Sequence, residues 1–222
     1  MFRVLLIFVL MQNQLKNELR NIISGKVQVR FGTIIQTIAS DLEKGPQAGS
    51  KIEDTKQIRE QETARLEKLI FEKGLWIKDI DFTQYVSEGA EQRVFLKDSE
   101  HVLKLNDAIY YRSWKDYFYN LLLHNFFFTD TAYELIGFTK EKNILYAVVQ
   151  QSYVEISQNT ELEHVKVFMD SNGFINTRNN DYFNPELGII LEDLHDENVL
   201  TRNGILYFID TVFFTTDKFW TD

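Results

Sequence analysis

Among 222 residues there is no cysteine, which excludes disulfides, thiolate zinc sites and cysteine nucleophiles together. Proline is limited to two residues and glycine to ten, so no collagen-type repeat runs through the chain. The four histidines (His101, His124, His164, His195) are scattered without an i, i+4 pair, which argues against a histidine zinc site. No apolar run is long enough to span a bilayer, and there is no internal repeat or low-complexity tract. Cations are the minority charge: 24 Lys+Arg stand against 33 Asp+Glu, for a net charge of −9. Broad binding to nucleic acid phosphates needs a basic surface and is not expected, although a local basic cleft for a nucleotide is compatible.

What the chain does have is core material. Hydrophobic residues make up 44% and charged residues 26%, with 18 Phe, 10 Tyr and 3 Trp. That composition describes a folded globular protein, either one domain or a small two-lobed domain with an added helical arm.

The first eleven residues, Met1 to Met11, are one cation and an apolar run. Polar residues from Gln12 follow where a small-residue cleavage site would stand. A buried first strand or helix, or a translation start at Met11, are the preferred readings over a secretion signal, and a cytoplasmic location is expected.

Periodicity divides the rest. Residues 12–24, with Leu15, Leu19, Ile22 and Ile23 on one face, read as a helix. So do Phe31 to Leu42 and, after the breaker cluster Lys44 to Ser50, the charged stretch Glu53 to Lys73, which stops at Gly74. Residues 1–75 thus form a helical arm. From Trp76 the pattern shortens. Phe82 to Ser87, Arg93 to Lys97 and His101 to Leu105 read as strands, and Lys97 to Glu100 as a hairpin turn. Ser113 caps a helix to Asn125, and strands Ala132 to Phe138 and Leu145 to Val154 follow. The simplest architecture for residues 76–155 is a five-stranded antiparallel sheet carrying one helix. In residues 156–222, Glu161 to Asp170 is helical and Asn176 to Pro185 loop-like. A turn at Arg202-Asn203-Gly204 leads into a strand Ile205 to Ile209 that ends at Asp210.

The stretch from Asp193 to Asp210 carries the chemistry. It places a carboxylate at Asp193, an amide at Asn198 and a second carboxylate at Asp210, after a short apolar hairpin. Phosphoryl transfer uses such a set: one Asp takes the proton of the acceptor hydroxyl, while an Asn and a second Asp offer oxygen donors to magnesium. Upstream, Lys104 lies in the nearly continuous apolar run Val102 to Leu105, which favours a semi-buried ammonium over a surface one. Gly89 lies between the first two strands. His195 is either a plain loop histidine or a group that reaches the γ-phosphate. His124 and Asn125, at a helix end, read as a structural cap and packing pair.

These residues resemble the protein-kinase-like superfamily, whose catalytic loop is H-R-D-L-x-x-x-N. Here Leu191-Glu192 replace its His-Arg, Asp193 and Asn198 keep the spacing, and Asp210-Thr-Val stands for Asp-Phe-Gly. Of the glycine-rich loop G-x-G-x-x-G-x-V, Gly89 and Val94 remain, with Ser87 and Gln92 at the other glycine positions. More narrowly the chain is similar to the Ser/Thr/Tyr kinase domain of bacterial polyvalent proteins from phages and conjugative elements. The residues that carry this likeness are Glu88 to Val94, Leu123 to Asn125, Tyr133 to Phe138 and Asp193 to Val199, and it covers roughly residues 75–215.

The resemblance implies an α+β, compact two-lobed kinase-like fold: a small antiparallel sheet with one helix (76–155) and a short, mostly helical C-terminal lobe (156–222). It implies a kinase using ATP and Mg2+ (or Mn2+). Lys104, Asp193 and His195 would be catalytic, and Asn198 and Asp210 would bind metal. Gly89, Val94, Lys104, Gln151 and Tyr153 would bind the nucleotide, with Gln151-Ser152-Tyr153 as the hinge against adenine. The acceptor would be a protein Ser/Thr/Tyr or a small-molecule hydroxyl, and a nucleotide-binding pseudokinase is the alternative from another class. No glutamate lies between Leu105 and Ala132 to pair with Lys104; Asp116 and Glu67 are the candidate substitutes.

Overall fold

The computed structural model describes residues 2–45, 52–89 and 92–221. The chain opens with α1 (Phe2–Ile23), in which the N-terminal apolar run and the expected helix 12–24 are continuous. Among the described residues no helix is long and apolar enough to cross a membrane. α2 (Gly32–Glu43) buries Ile35, Ile38, Ala39 and Leu42, the i, i+3, i+4, i+7 spacing of one helical face. Of the breaker cluster, residues 46–50 lie outside the described residues. α3 (Ile52–Lys73) buries Ile58, Glu62, Leu66 and Ile70. It ends on Gly74, whose amide donates to the Phe71 carbonyl and whose positive φ lets the Leu75 amide return to the Ile70 carbonyl.

A 3-10 turn at Phe82–Gln84 shortens the expected first strand to β1 (Tyr85–Glu88). β2 (Gln92–Leu96), β3 (His101–Asn106), α4 (Trp114–Phe127), β4 (Glu134–Glu141) and β5 (Ile144–Ser152) complete the expected unit. The sheet order is β1-β2-β3-β5-β4, with every neighbouring pair antiparallel. Ser113 caps α4 by accepting from the Asp116 amide at 3.0 Å. The sheet is tied to the end of α3 at Gly137. There the Phe138 amide donates to the Leu75 carbonyl at 2.9 Å, and a Cβ on Gly137 would lie 2.4 Å from that same oxygen.

Beyond residue 155 the structure departs from the expected mostly helical lobe. α5 (Leu162–Ser171) and the single turn α6 (Asp217–Trp220) accompany six strands: β6 (Ile175–Arg178), β7 (Asp181–Asn184), β8 (Ile189–Glu192), β9 (Val199–Arg202), β10 (Ile205–Phe208) and β11 (Val212–Thr215). Four of them form a sheet in the order β11-β8-β7-β6, and β9 pairs with β10. The Asn/Asp-rich stretch expected to be a loop is the β6–β7 hairpin. Its polar residues serve the turn, where Asn179 takes the left-handed conformation that asparagine tolerates.

One hydrophobic core joins the two ends of the chain. Leu19, Ile35, Leu66, Phe118, Phe138, Leu191, Phe213 and Phe219 belong to a single buried cluster. A smaller cluster of Ile80, Phe95, Leu105 and Val148 fills the other face of the five-stranded sheet. The helices of the arm therefore share a core with α4 and the C-terminal strands.

Candidate functional site

A cleft of about 500 Å3 opens between the five-stranded sheet and the β8–β10 segment. Val94, Val102, Leu200 and Ile209 give it apolar walls, and Glu88, Lys104, Asp193, Glu197 and Asp210 bring charge to it. Every site residue expected from sequence lines this one cavity: Gly89, Val94, Lys104, Gln151, Tyr153, Asp193, His195, Asn198 and Asp210.

The loop after β8 is built around Asp193, which sits at φ 68°, a left-handed position that Asp tolerates better than most residues. Its amide donates to Asp181 Oδ1 at 3.1 Å, the next amide donates to the Asn180 carbonyl, and Leu194 is fully buried beneath it. The β6–β7 turn therefore holds the loop from one side. From the other side, Asn198 Nδ2 donates to both the main-chain carbonyl and Oδ2 of Asp193, each at 2.9 Å. This bonding turns the Asn198 amide nitrogen toward Asp193 and leaves its oxygen as the free acceptor. His195 Nδ1 accepts from the Glu197 amide at 3.2 Å. Its Nε2 lies 3.3 Å from Asp193 Oδ1 and 3.1 Å from Asn198 Nδ2. Just before the loop, burial holds the Glu192 carboxyl above its ordinary range, with Asp181 and Asp193 adding to the effect.

Opposite the loop stands Lys104, 3% exposed on β3. Its Nζ donates to the Ile209 carbonyl at 2.7 Å and lies 5.5 Å from the centre of the Tyr133 ring. Burial pushes the ammonium pKa down, and the charge of Asp210 opposes that shift. Asp210 Oδ2 accepts from the side-chain amide of Gln92.

Two expected details differ. Glu67 is not a partner of Lys104: it pairs with Lys140 at 2.8 Å on the surface. Asp116 sits in the first turn of α4 and lines a second cleft with Arg112, Glu192 and Asp217. At the expected hinge, the Gln151 side-chain amide donates to the Thr131 carbonyl and the Tyr153 amide to the Glu100 carbonyl, so both donors are already engaged within the protein.

Gly89 is informative by contrast with Gly137. A Cβ at Gly89 would meet no atom of the described residues within 4 Å, and its φ is not in the left-handed region. Neither packing nor backbone strain demands glycine there.

Sequence reasoning missed Gln92, seen only as a substitute for a glycine, and gave no role to Tyr133 or to the Ile209 carbonyl. A Gln92–Asp210 contact between residues 118 positions apart leaves no local signature. The reading of His124 and Asn125 as structural is met, with a wider reach than a cap. His124 bonds Thr211 and Thr131 at the two ring nitrogens, and Asn125 bonds both main-chain groups of Tyr133.

Asp210 and the oxygen of Asn198 are hard donors of the kind magnesium prefers, and both line the cleft that holds Lys104. They fit a magnesium ion bound together with phosphate oxygens. A family model described as serine/threonine/tyrosine kinase found in polyvalent proteins matches residues 59–217. The match reaches back into α3, further than the roughly 75–215 expected. Comparison with curated proteins and with solved structures gives no match.

Proposed function

The chain belongs to the family of serine/threonine/tyrosine kinases found in polyvalent proteins, and from that membership we propose that its cleft binds ATP with magnesium and passes the γ-phosphoryl group to a protein hydroxyl. The observation that carries this reading is the convergence of Gly89, Lys104, Asp193, Asn198 and Asp210, drawn from widely separated segments, on one cleft.

In this reading the apolar walls Val94, Val102 and Leu200 take the base, and Lys104 binds phosphate oxygens. Asn198 and Asp210 hold the magnesium, which neutralises charge on the phosphates. Asp193 accepts the proton of the acceptor hydroxyl as its oxygen forms a bond to the γ-phosphorus. The bond from that phosphorus to the bridging oxygen breaks, and ADP leaves with the electron pair. Asn198, hydrogen-bonded to Asp193, and His195, with Nε2 3.3 Å from it, keep its carboxylate oriented for that step. Residues 76–155 act as the nucleotide-covering half of a two-lobed kinase fold, 156–222 as the half bearing the catalytic loop, and 1–75 as a brace behind α4. A nucleotide-binding module without transfer is the second reading, favoured by one observation: Lys104 has no carboxylate partner on α4.

The test is self-labelling with γ-labelled ATP and magnesium, beside Asp193→Asn and Asp210→Asn. Label on the wild type that Asp193→Asn abolishes while nucleotide binding persists, together with loss of magnesium-dependent binding in Asp210→Asn, supports the kinase reading. Wild-type labelling in both variants would sink the assignment. Binding without any transfer, to protein or to small alcohols, would favour the binding module.

A further inference from the structure

We infer that Tyr133, together with the main-chain carbonyl of Ile209, replaces the missing helix carboxylate as the device that positions Lys104; this rests on the nucleotide reading above. Three contacts converge on one point. Lys104 Nζ donates to the Ile209 oxygen at 2.7 Å, the Tyr133 hydroxyl donates to that same oxygen at 2.7 Å, and the ammonium faces the Tyr133 ring at 5.5 Å.

A carbonyl oxygen has two lone pairs, so it accepts both donors at once. The phenol thereby fixes the oxygen that fixes the lysine. The negative face of the ring adds an attraction that is strongest where the cation is dry, and Lys104 is 3% exposed. An ammonium has three N–H donors, so the bond to Ile209 leaves two for phosphate oxygens.

Tyr133 is itself held from α4. Asn125 accepts from the Tyr133 amide at 2.7 Å and donates to its carbonyl at 2.8 Å. The helix thus controls the lysine through an amide at its C-terminal end and an aromatic intermediary, in place of a carboxylate at mid-helix. Meanwhile Asn120, at mid-helix, accepts from the Phe213 amide at 2.8 Å and steadies the strand that follows Asp210. The Ile209 carbonyl belongs to the peptide that leads into Asp210. The phosphate-binding lysine and the metal-binding carboxylate therefore lean on a single peptide unit.

Tyr133 is a positioning residue in this scheme, and a double-mutant cycle isolates it. Affinity for Mg·ADP is measured by calorimetry on the full chain for wild type, Tyr133→Phe, Lys104→Met and the double variant, with thermal unfolding of each as a check on folding. Tyr133→Phe should weaken binding about fivefold, the effect of one net hydrogen bond, and should change nothing further once Lys104 is methionine. Tyr133→Leu, which removes the ring as well, should weaken binding more, again only when Lys104 is present. An equal loss in both lysine backgrounds would reduce Tyr133 to a packing role and overturn the inference, as would no loss with Lys104 intact. Wild-type protein that fails to bind Mg·ADP would instead remove the nucleotide reading, and this inference with it.

Discussion

Replacing His124 with glutamine should take a defined block of pH sensitivity out of the folding equilibrium, and its size follows from where the ring sits. The side chain is fully buried, with Nε2–H donating to the Thr131 carbonyl at 2.9 Å and Nδ1 accepting from the Thr211 hydroxyl at 2.7 Å. Both nitrogens are thus satisfied in the neutral form. Burial lowers the pKa from 6.5 to about 3, and the nearby Lys104 charge adds to the effect. Because the folded value lies below the unfolded one, the unfolded chain binds the extra proton between these limits. Stability is therefore full above pH 6.5 and falls as pH drops through the window toward 3. Between pH 7 and pH 5 this single group should remove about 2 kcal/mol, since each pH unit inside the window costs about 1.4 kcal/mol. Urea unfolding of wild type and His124→Gln at both pH values reads the effect as a difference of differences. The variant will be less stable at pH 7, but its loss on going to pH 5 should be smaller by that 2 kcal/mol. Identical losses in the two proteins would mean that the ring is protonated, or wet, in the folded state.

Two further expectations concern the supports of the site. Glu62 on α3 accepts from the Trp114 amide at 2.7 Å and so caps α4 from outside its own helix; Glu62→Ala should lower stability by about 1–2 kcal/mol. Glu62→Gln, which keeps an acceptor, should stay close to wild type at neutral pH by the same unfolding assay. Burial raises the Glu62 carboxyl pKa. The wild type therefore gains stability as pH falls through that raised value toward 4.5, and a flat response shared with Glu62→Gln would contradict this. Gly89→Ala should leave thermal stability unchanged, because the added methyl meets no atom of the described residues. It should nevertheless reduce Mg·ADP affinity, and unchanged affinity would show that the glycine does not border the ligand.

Much of the candidate site was legible because several of the residues that line the cleft stand at short, fixed spacings. Asp193 and Asn198 share a loop, and Lys104 declares itself by standing in an apolar strand. The first five strands and α4 were legible through periodicity and through Ser113 as a cap. The C-terminal strands were harder to read. Four-residue strands such as β6, with every residue exposed, carry no alternation of burial, and the Asn-rich β6–β7 turn looks like a loop until its partner strand is known. The partners of Lys104 and Asp210 could not be read at all. A main-chain carbonyl has no sequence signature, and the Glu67–Lys140 pair that removes one candidate depends on how α3 lies across β4.

The contacts between α1 and the last turn have a consequence for how the molecule is made. Arg20 donates to the carbonyls of Phe219 and Thr221, and Lys16 donates to the latter, across 199 to 205 positions of sequence. Closing a loop of that length adds only slowly to the entropy cost, but it sets an order of events. Phe219 is fully buried in the cluster that also holds Leu19 and Ile35, and its amide nitrogen lies 2.5 Å from where a Cβ on Gly188 would be. Until Phe219 has left the ribosome, that cluster lacks a wall and Gly188 lacks its cover. Completion of that core thus waits on Phe219, and a ribosome stalled a few codons before it carries a chain whose first helix still lacks that contact.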